Sequence, residues 1–154
     1  MKKTLLIAAT LLTAACTERH TTPDTQAADR AKGFAEAYFN YDFKTALPMA
    51  TPESLRWLQF AASNITQQDV DQLNAQQALA TADITGLEWT DDTTATVTVA
   101  VGNYLQKDSI GRPMRLVDEA EFLLTVVERQ GQYLVRMEGL PRSERQSRGS
   151  AGDE

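Results

Sequence analysis

The chain holds one cysteine, one histidine and no excess of positive charge. A lone cysteine, Cys16, excludes an internal disulfide. His20 has no second ligand near it, so it reads as a solvated linker residue, and neither a metal site nor a serine–histidine nucleophile pair is expected. No glycine-rich phosphate loop occurs, and no cofactor is expected. A formal net charge of −6 argues against nucleic acid and anionic membrane surfaces as general partners. Nor does the leading apolar run span a bilayer. As a helix, Thr4 to Ala15 would rise about 18 Å at ~1.5 Å per residue, against a hydrocarbon core of roughly 30 Å.

What that run does carry is order. Lys2 and Lys3 precede it, and Leu12-Thr13-Ala14-Ala15-Cys16 closes it, with small residues ahead of the only cysteine. The arrangement is that of an export signal. Its last five residues resemble a lipobox, the site at which a bacterial prolipoprotein gains a diacylglyceryl group on its cysteine sulfur and is cut just before that cysteine. Thr13 stands where the pattern most often has leucine. The resemblance implies a signal peptide over residues 1–15, lipid attachment at Cys16, and the membrane as a partner through acyl chains that each contribute about 0.8 kcal/mol per buried methylene. The alternative is an ordinary cleaved signal with a free cysteine beside the cut. Thr17 is not the aspartate that retains lipoproteins at the inner membrane of enteric bacteria. The expected location is therefore the cell envelope, at the outer membrane and facing the periplasm. Loss of Lys2 and Lys3 takes the formal net charge from −6 to −8.

The remainder is the right size for one domain with its own core. Residues 16–26, rich in threonine with Pro23 and Asp24, read as a lipidated tether. Helical periodicity begins at Ala27, where Ala31, Phe34, Ala35, Tyr38 and Tyr41 recur at spacings of three and four. Asp42 caps a short second helix that Pro48 ends, and Thr51-Pro52-Glu53 starts a third, carrying Leu55, Trp57, Leu58, Phe60 and Ala61. Thr66 and Asp69 form the start of a fourth. Beyond Ala80 the period becomes that of strands. Ala82 to Trp89 is the first, with Gly86 as a candidate bulge. Thr94 to Val101 alternates Ala95, Val97, Val99 and Val101 against threonines, and Met114 to Arg129 joins Gln132 to Glu138 through a Gln130-Gly131 hairpin. In the simplest register Phe122, Leu124 and Val126 share the core face with Tyr133, Val135 and Met137. Leu123, Val127 and Leu134 then lie on the other face, a candidate homodimer interface unless another segment covers it. Pro141 to Glu154 lacks large apolar residues and reads as a disordered polar tail.

Helices first and four antiparallel strands after them make an α+β domain over residues 27–140. Phe34 to Ala46, with Asn40-Tyr41-Asp42-Phe43-Lys44-Thr45-Ala46 at its end, followed by Thr51-Pro52-Glu53, resembles the opening of the NTF2-like superfamily, and in particular its bacterial lipoproteins of the DUF4878 type. The usual glycine of that turn is missing here. The resemblance implies N-terminal helices packed on a curved four-stranded antiparallel sheet, a cone with a cavity at its wide end. Phe34, Tyr38, Trp57 and Phe60 are the candidate lining, and a small apolar or amphipathic molecule is the candidate ligand. Some members are enzymes of the ketosteroid isomerase kind, in which a carboxylate in a dry pocket works opposite a tyrosine. Tyr38 or Tyr41 with Asp42, or Asp118 with Glu119 and Glu121, supply those group types. Asp42 is better explained as a cap and the Asp118 cluster as the polar start of a strand, so no catalytic residue is assigned and no enzymatic activity is expected.

Overall fold

The computed structural model describes residues 21–143. Cys16, Thr17, His20 and residues 144–154 lie outside the described residues. Four helices precede the sheet: α1 (Pro23–Phe39), α2 (Phe43–Ala46), α3 (Leu55–Ser63) and α4 (Gln67–Asn74), with two single 3₁₀ turns, Leu47–Met49 and Pro52–Ser54, between α2 and α3. The strands β1 (Thr81–Asp91), β2 (Thr94–Gln106), β3 (Arg115–Arg129) and β4 (Gln132–Arg136) pair in sequence order as an antiparallel meander.

The first helix begins at Pro23, so the stretch assigned to a tether up to residue 26 is already part of the domain. Thr22 accepts a hydrogen bond from the Thr25 amide, Pro23 takes a first-turn position where no donor is missed, and Asp24 faces the positive end of the dipole. Asp24 also accepts from Trp89 Nε1 at 2.6 Å, which ties the start of α1 to β1. Along its length α1 touches all four strands. Ala27, Ala31 and Ala35 are fully buried beside Phe34, and their small side chains let the helix lie close on the sheet. Opposite them stand Ala95, Val97, Val99 and Val101 of β2, the inward set that the alternation indicates. No helix among the described residues is long and apolar enough to cross a membrane.

The hairpin register agrees with the sequence pattern, since Val126 pairs with Val135 and Glu128 with Tyr133. Gln130 and Gly131 take φ of 54° and 77°, as a tight two-residue turn requires. A register shift between Ile84 and Gly86 places the expected bulge in β1. Strand β2 runs on to Gln106 because Asn103 adopts φ 53°, held there by Nδ2 donating to the Ala78 carbonyl at 2.9 Å. That break in alternation puts Val101 and Tyr104, three residues apart, on the same core side.

Thr51 does not cap with its side chain as the Thr-Pro-Glu signal suggests. It is buried, its hydroxyl bonds that of Ser54 at 2.7 Å, and its amide donates to Val135 at 2.9 Å. Ser54 Oγ in turn accepts from the Met137 amide at 2.7 Å, so this segment satisfies the free edge of β4. Residues 141–143, assigned to the disordered tail, are part of the fold: β4 ends at Arg136, and Ser143 takes up a bridge to Phe122 beyond that point.

Candidate functional site

The turn after α1 builds the site. Asn40 caps the helix, Tyr41 follows in the left-handed region at φ 60°, and the amides of Tyr41 and Asp42 donate back to Tyr38 and Ala37 at 3.0 and 2.9 Å. This is a Schellman ending with tyrosine where glycine is usual, a conformation that costs roughly 1 kcal/mol or more. Two anchors offset it. The Tyr41 hydroxyl donates to the Leu105 carbonyl at 2.7 Å, and the Asn40 side chain clamps Ala80 through both its carbonyl and its amide, at 3.0 and 2.8 Å. Asp42 then caps α2, accepting from the amide and hydroxyl of Thr45, and those bonds hold its carboxyl below the usual range. The outcome is a chain reversal that aims Phe39, Tyr41 and Phe43 toward one place.

That place is an open recess of about 260 Å³. Tyr38, Phe39 and Tyr41 come from α1 and its turn, Phe43 from the start of α2, Tyr104 from β2 and Phe122 from β3. Ala61, Asn64 and Ile65 at the end of α3, residues 105–110 at and beyond the end of β2, and Leu140 with Pro141 complete the wall. The rings support one another edge-on: Tyr38 with Phe43 at 5.7 Å, Phe39 with Tyr104 at 5.1 Å, Tyr104 with Phe122 at 5.7 Å. Burial raises the pKa of Tyr38, with a smaller effect from Tyr41. Tyr41 is pushed up to about 12, first by burial and then by the negative charge of Asp69. Both phenols are thus neutral across the physiological range.

The charged groups near the recess are already engaged. Lys107, in the wall itself, donates to Asp69 Oδ2, and the Asp69 side chain is only 1% exposed. Asp108 at the rim accepts from Gln106 at 2.7 Å and from Arg115 at 3.3 Å. Hydrogen bonds lower the carboxyl pKa of Asp42, Glu53, Asp69 and Asp91, and none of the four lines the recess. Asp118, Glu119 and Glu121 are exposed on β3 and do not line the recess. Among the described residues no three His, Cys, Asp or Glu side chains gather as a metal site.

Of the four residues assigned to the lining, Tyr38 alone is there. Phe34, one turn deeper on the same stripe, is fully buried in the core and stacks on Tyr38 at 5.8 Å. On α3 the inward stripe is Leu58 and Ala61, and Phe60 lies about 200° round the helix from Leu58, at 52% exposure. Trp57 and Phe60 border a separate shallow depression with residues 138–142. The sheet-face set is also altered. Leu123, Val127 and Leu134 do share a face, but only Leu123 stands out, at 54% exposure, while Val127 is buried beside its cross-strand partners Thr94 and Leu134. Phe122, expected on the core face, and Tyr104 also reach the recess, because their meeting depends on the break at Asn103.

No family model and no curated protein matches the chain. Among solved structures, an NTF2-like protein of unknown function from Shewanella oneidensis MR-1 superposes with a TM-score of 0.50 at 12% identity, over 74% of this chain and 94% of that one. An NTF2-like protein involved in plasmid conjugation gives a TM-score of 0.41 at 16% identity, over 78% of this chain and 48% of that protein's length. The Shewanella likeness, with the helices and the four-stranded antiparallel sheet, shows an NTF2-like α+β fold.

Proposed function

We propose that this is a lipid-anchored cell-envelope protein whose domain holds a small apolar or amphipathic molecule in the recess without transforming it. One observation carries the binding part: six aromatic rings converge on an open recess whose neighbouring charges are already paired. The anchor rests on the order Leu12-Thr13-Ala14-Ala15-Cys16, which resembles a lipobox, and Thr17 favours the periplasmic side of an outer membrane.

Two measurements test this reading. Residues 17–154 exported behind an ordinary cleaved signal and examined by native mass spectrometry should carry a non-covalent adduct, which denaturation removes. A bare monomer argues against a tightly held ligand, and a bare dimer would move weight to the sheet face, which Val127 burial otherwise disfavours. Separately, Cys16→Ser should release the protein from the membrane fraction; a variant that still sediments with membranes overturns the lipid anchor.

A further inference from the structure

We infer that the recess takes an uncharged, flat, single-ring molecule bearing one hydrogen-bond acceptor, and that the Tyr38 hydroxyl is the donor that orients it. The inference rests on the binding reading above and narrows it to a ligand class.

Size sets the first limit. A recess of about 260 Å³ lies just below the roughly 300–1,000 Å³ of ordinary ligand pockets, which suits a single-ring guest. Shape follows from the wall. Phe39, Phe43, Tyr104 and Phe122 are locked edge-to-face or tilted against their neighbours, so they offer fixed ring surfaces to a flat guest. Charge is limited by what is already paired. Lys107 is held by Asp69, and Asp108 by Arg115 and Gln106, so a charged guest would lose its hydration without gaining a counter-ion.

The polar choice falls on Tyr38. Of the three phenols on the wall, Tyr41 donates to Leu105 and Tyr104 is within 3.4 Å of Gln106 Oε1. The Tyr38 hydroxyl makes no hydrogen bond among the described residues, although its side chain is largely covered by Phe34, Phe39 and Phe43. A phenol so placed, at the wall of an open recess, is free to donate to a guest. Its raised pKa keeps the proton in place over the physiological range, so the donor role does not depend on pH there.

Three probes of matched size separate the alternatives: acetophenone, its hydrocarbon isostere α-methylstyrene, and benzoate. Titrations are made with the full protein and with Tyr38→Phe, whose thermal melt confirms folding. Acetophenone is expected to bind the native protein and to weaken about five- to tenfold in Tyr38→Phe, while α-methylstyrene changes by less than about twofold and benzoate binds neither form. Equal loss or no loss for ketone and hydrocarbon removes the donor role and overturns the inference, leaving the apolar recess intact. Benzoate binding as tightly as acetophenone overturns the uncharged class. If none of the three binds while the native spectrum shows an adduct, the size class is wrong; if none binds and no adduct appears, the binding reading itself fails.

Discussion

Replacing Asp69 with alanine is expected to lower the free energy of unfolding by about 3 kcal/mol, measured by urea denaturation at neutral pH. Two losses add. The first is the capping box of α4, in which the Asp69 carboxylate accepts from the Thr66 amide at 2.8 Å and the Thr66 hydroxyl accepts from the Asp69 amide at 3.3 Å; capping of this kind contributes about 1 kcal/mol. The second is the buried charge left on Lys107, whose side chain is 12% exposed in the pair. Breaking a buried pair from one side costs about 3–5 kcal/mol when the survivor is trapped. Lys107 lies just past the end of β2, on a flexible four-carbon stem that can swing toward water, so the cost falls well below that range. The double variant Asp69→Leu with Lys107→Met tests this division, because it removes both charges together. It should be more stable than Asp69→Ala, though still short of the native protein by the lost cap.

The pH dependence of the same pair has a definite sign. Burial pushes the Asp69 carboxyl up, but hydrogen bonds from Lys107 and Thr66 outweigh it and leave the pKa below its ordinary 3.8. A carboxyl depressed in the folded state adds stability that is fully present above its unfolded pKa and disappears as pH falls through the folded value. The stability gap between the native protein and Asp69→Asn should therefore be constant from neutral pH to about pH 5, then close on further acidification. A gap that widens in acid would mean that burial dominates instead. The pair also has a structural consequence for the recess. Gln72 clamps both the amide and the carbonyl of Met114, at 2.8 and 2.6 Å, and Gln76 donates to the Asn103 carbonyl at 2.9 Å. Asp69 is the only buried residue of α4, so the helix is held largely by these polar clamps and by the pair that fixes Lys107 in the recess wall.

The features readable in the sequence are those with a local period or a local cap. Thr94 to Val101 alternates without interruption, and Gln130-Gly131 meets the positive-φ demand of its turn, so faces and register both follow. Thr66 and Asp69 form their capping box from residues three apart. Thr22-Pro23-Asp24 is the same kind of start signal as Thr51-Pro52-Glu53, yet its threonine-rich, apolar-poor surroundings also have a linker's composition, and only the Asp24 bond to Trp89 distinguishes the two. The recess is less legible because it is assembled across the chain. Helical spacing tells that Phe34 and Tyr38 both face inward, but not how deep each lies. Gly102-Asn103 is a pair that weakens a strand, but the positive φ of Asn103 is held by a partner carbonyl at Ala78, far from it in sequence.

Depth along that one stripe leads to the second large effect. Phe34→Ala is expected to cost about 4 kcal/mol, whereas Tyr38→Phe should change stability by about 1 kcal/mol or less. Phe34 has no exposed surface and lies in the core cluster with Ala31, Ala35 and the inward valines of β2. Neighbours held by a hydrogen-bonded sheet cannot collapse into the space it leaves, so the cavity term adds to the transfer term. Tyr38 keeps its ring in the variant and loses only a hydroxyl that makes no hydrogen bond among the described residues. A loss near 4 kcal/mol is a large part of the 5–15 kcal/mol typical of a domain, so Phe34→Leu provides a milder second point and should fall between native and alanine. If Phe34→Ala instead unfolds at nearly the native urea concentration while acetophenone binding changes, Phe34 belongs to the recess wall and the boundary between core and site must move one turn down α1. If the large loss appears with Phe34→Ala and the selective loss of the ketone with Tyr38→Phe, the boundary lies between these two stacked rings: below it α1 holds the sheet, and above it the helix faces a guest.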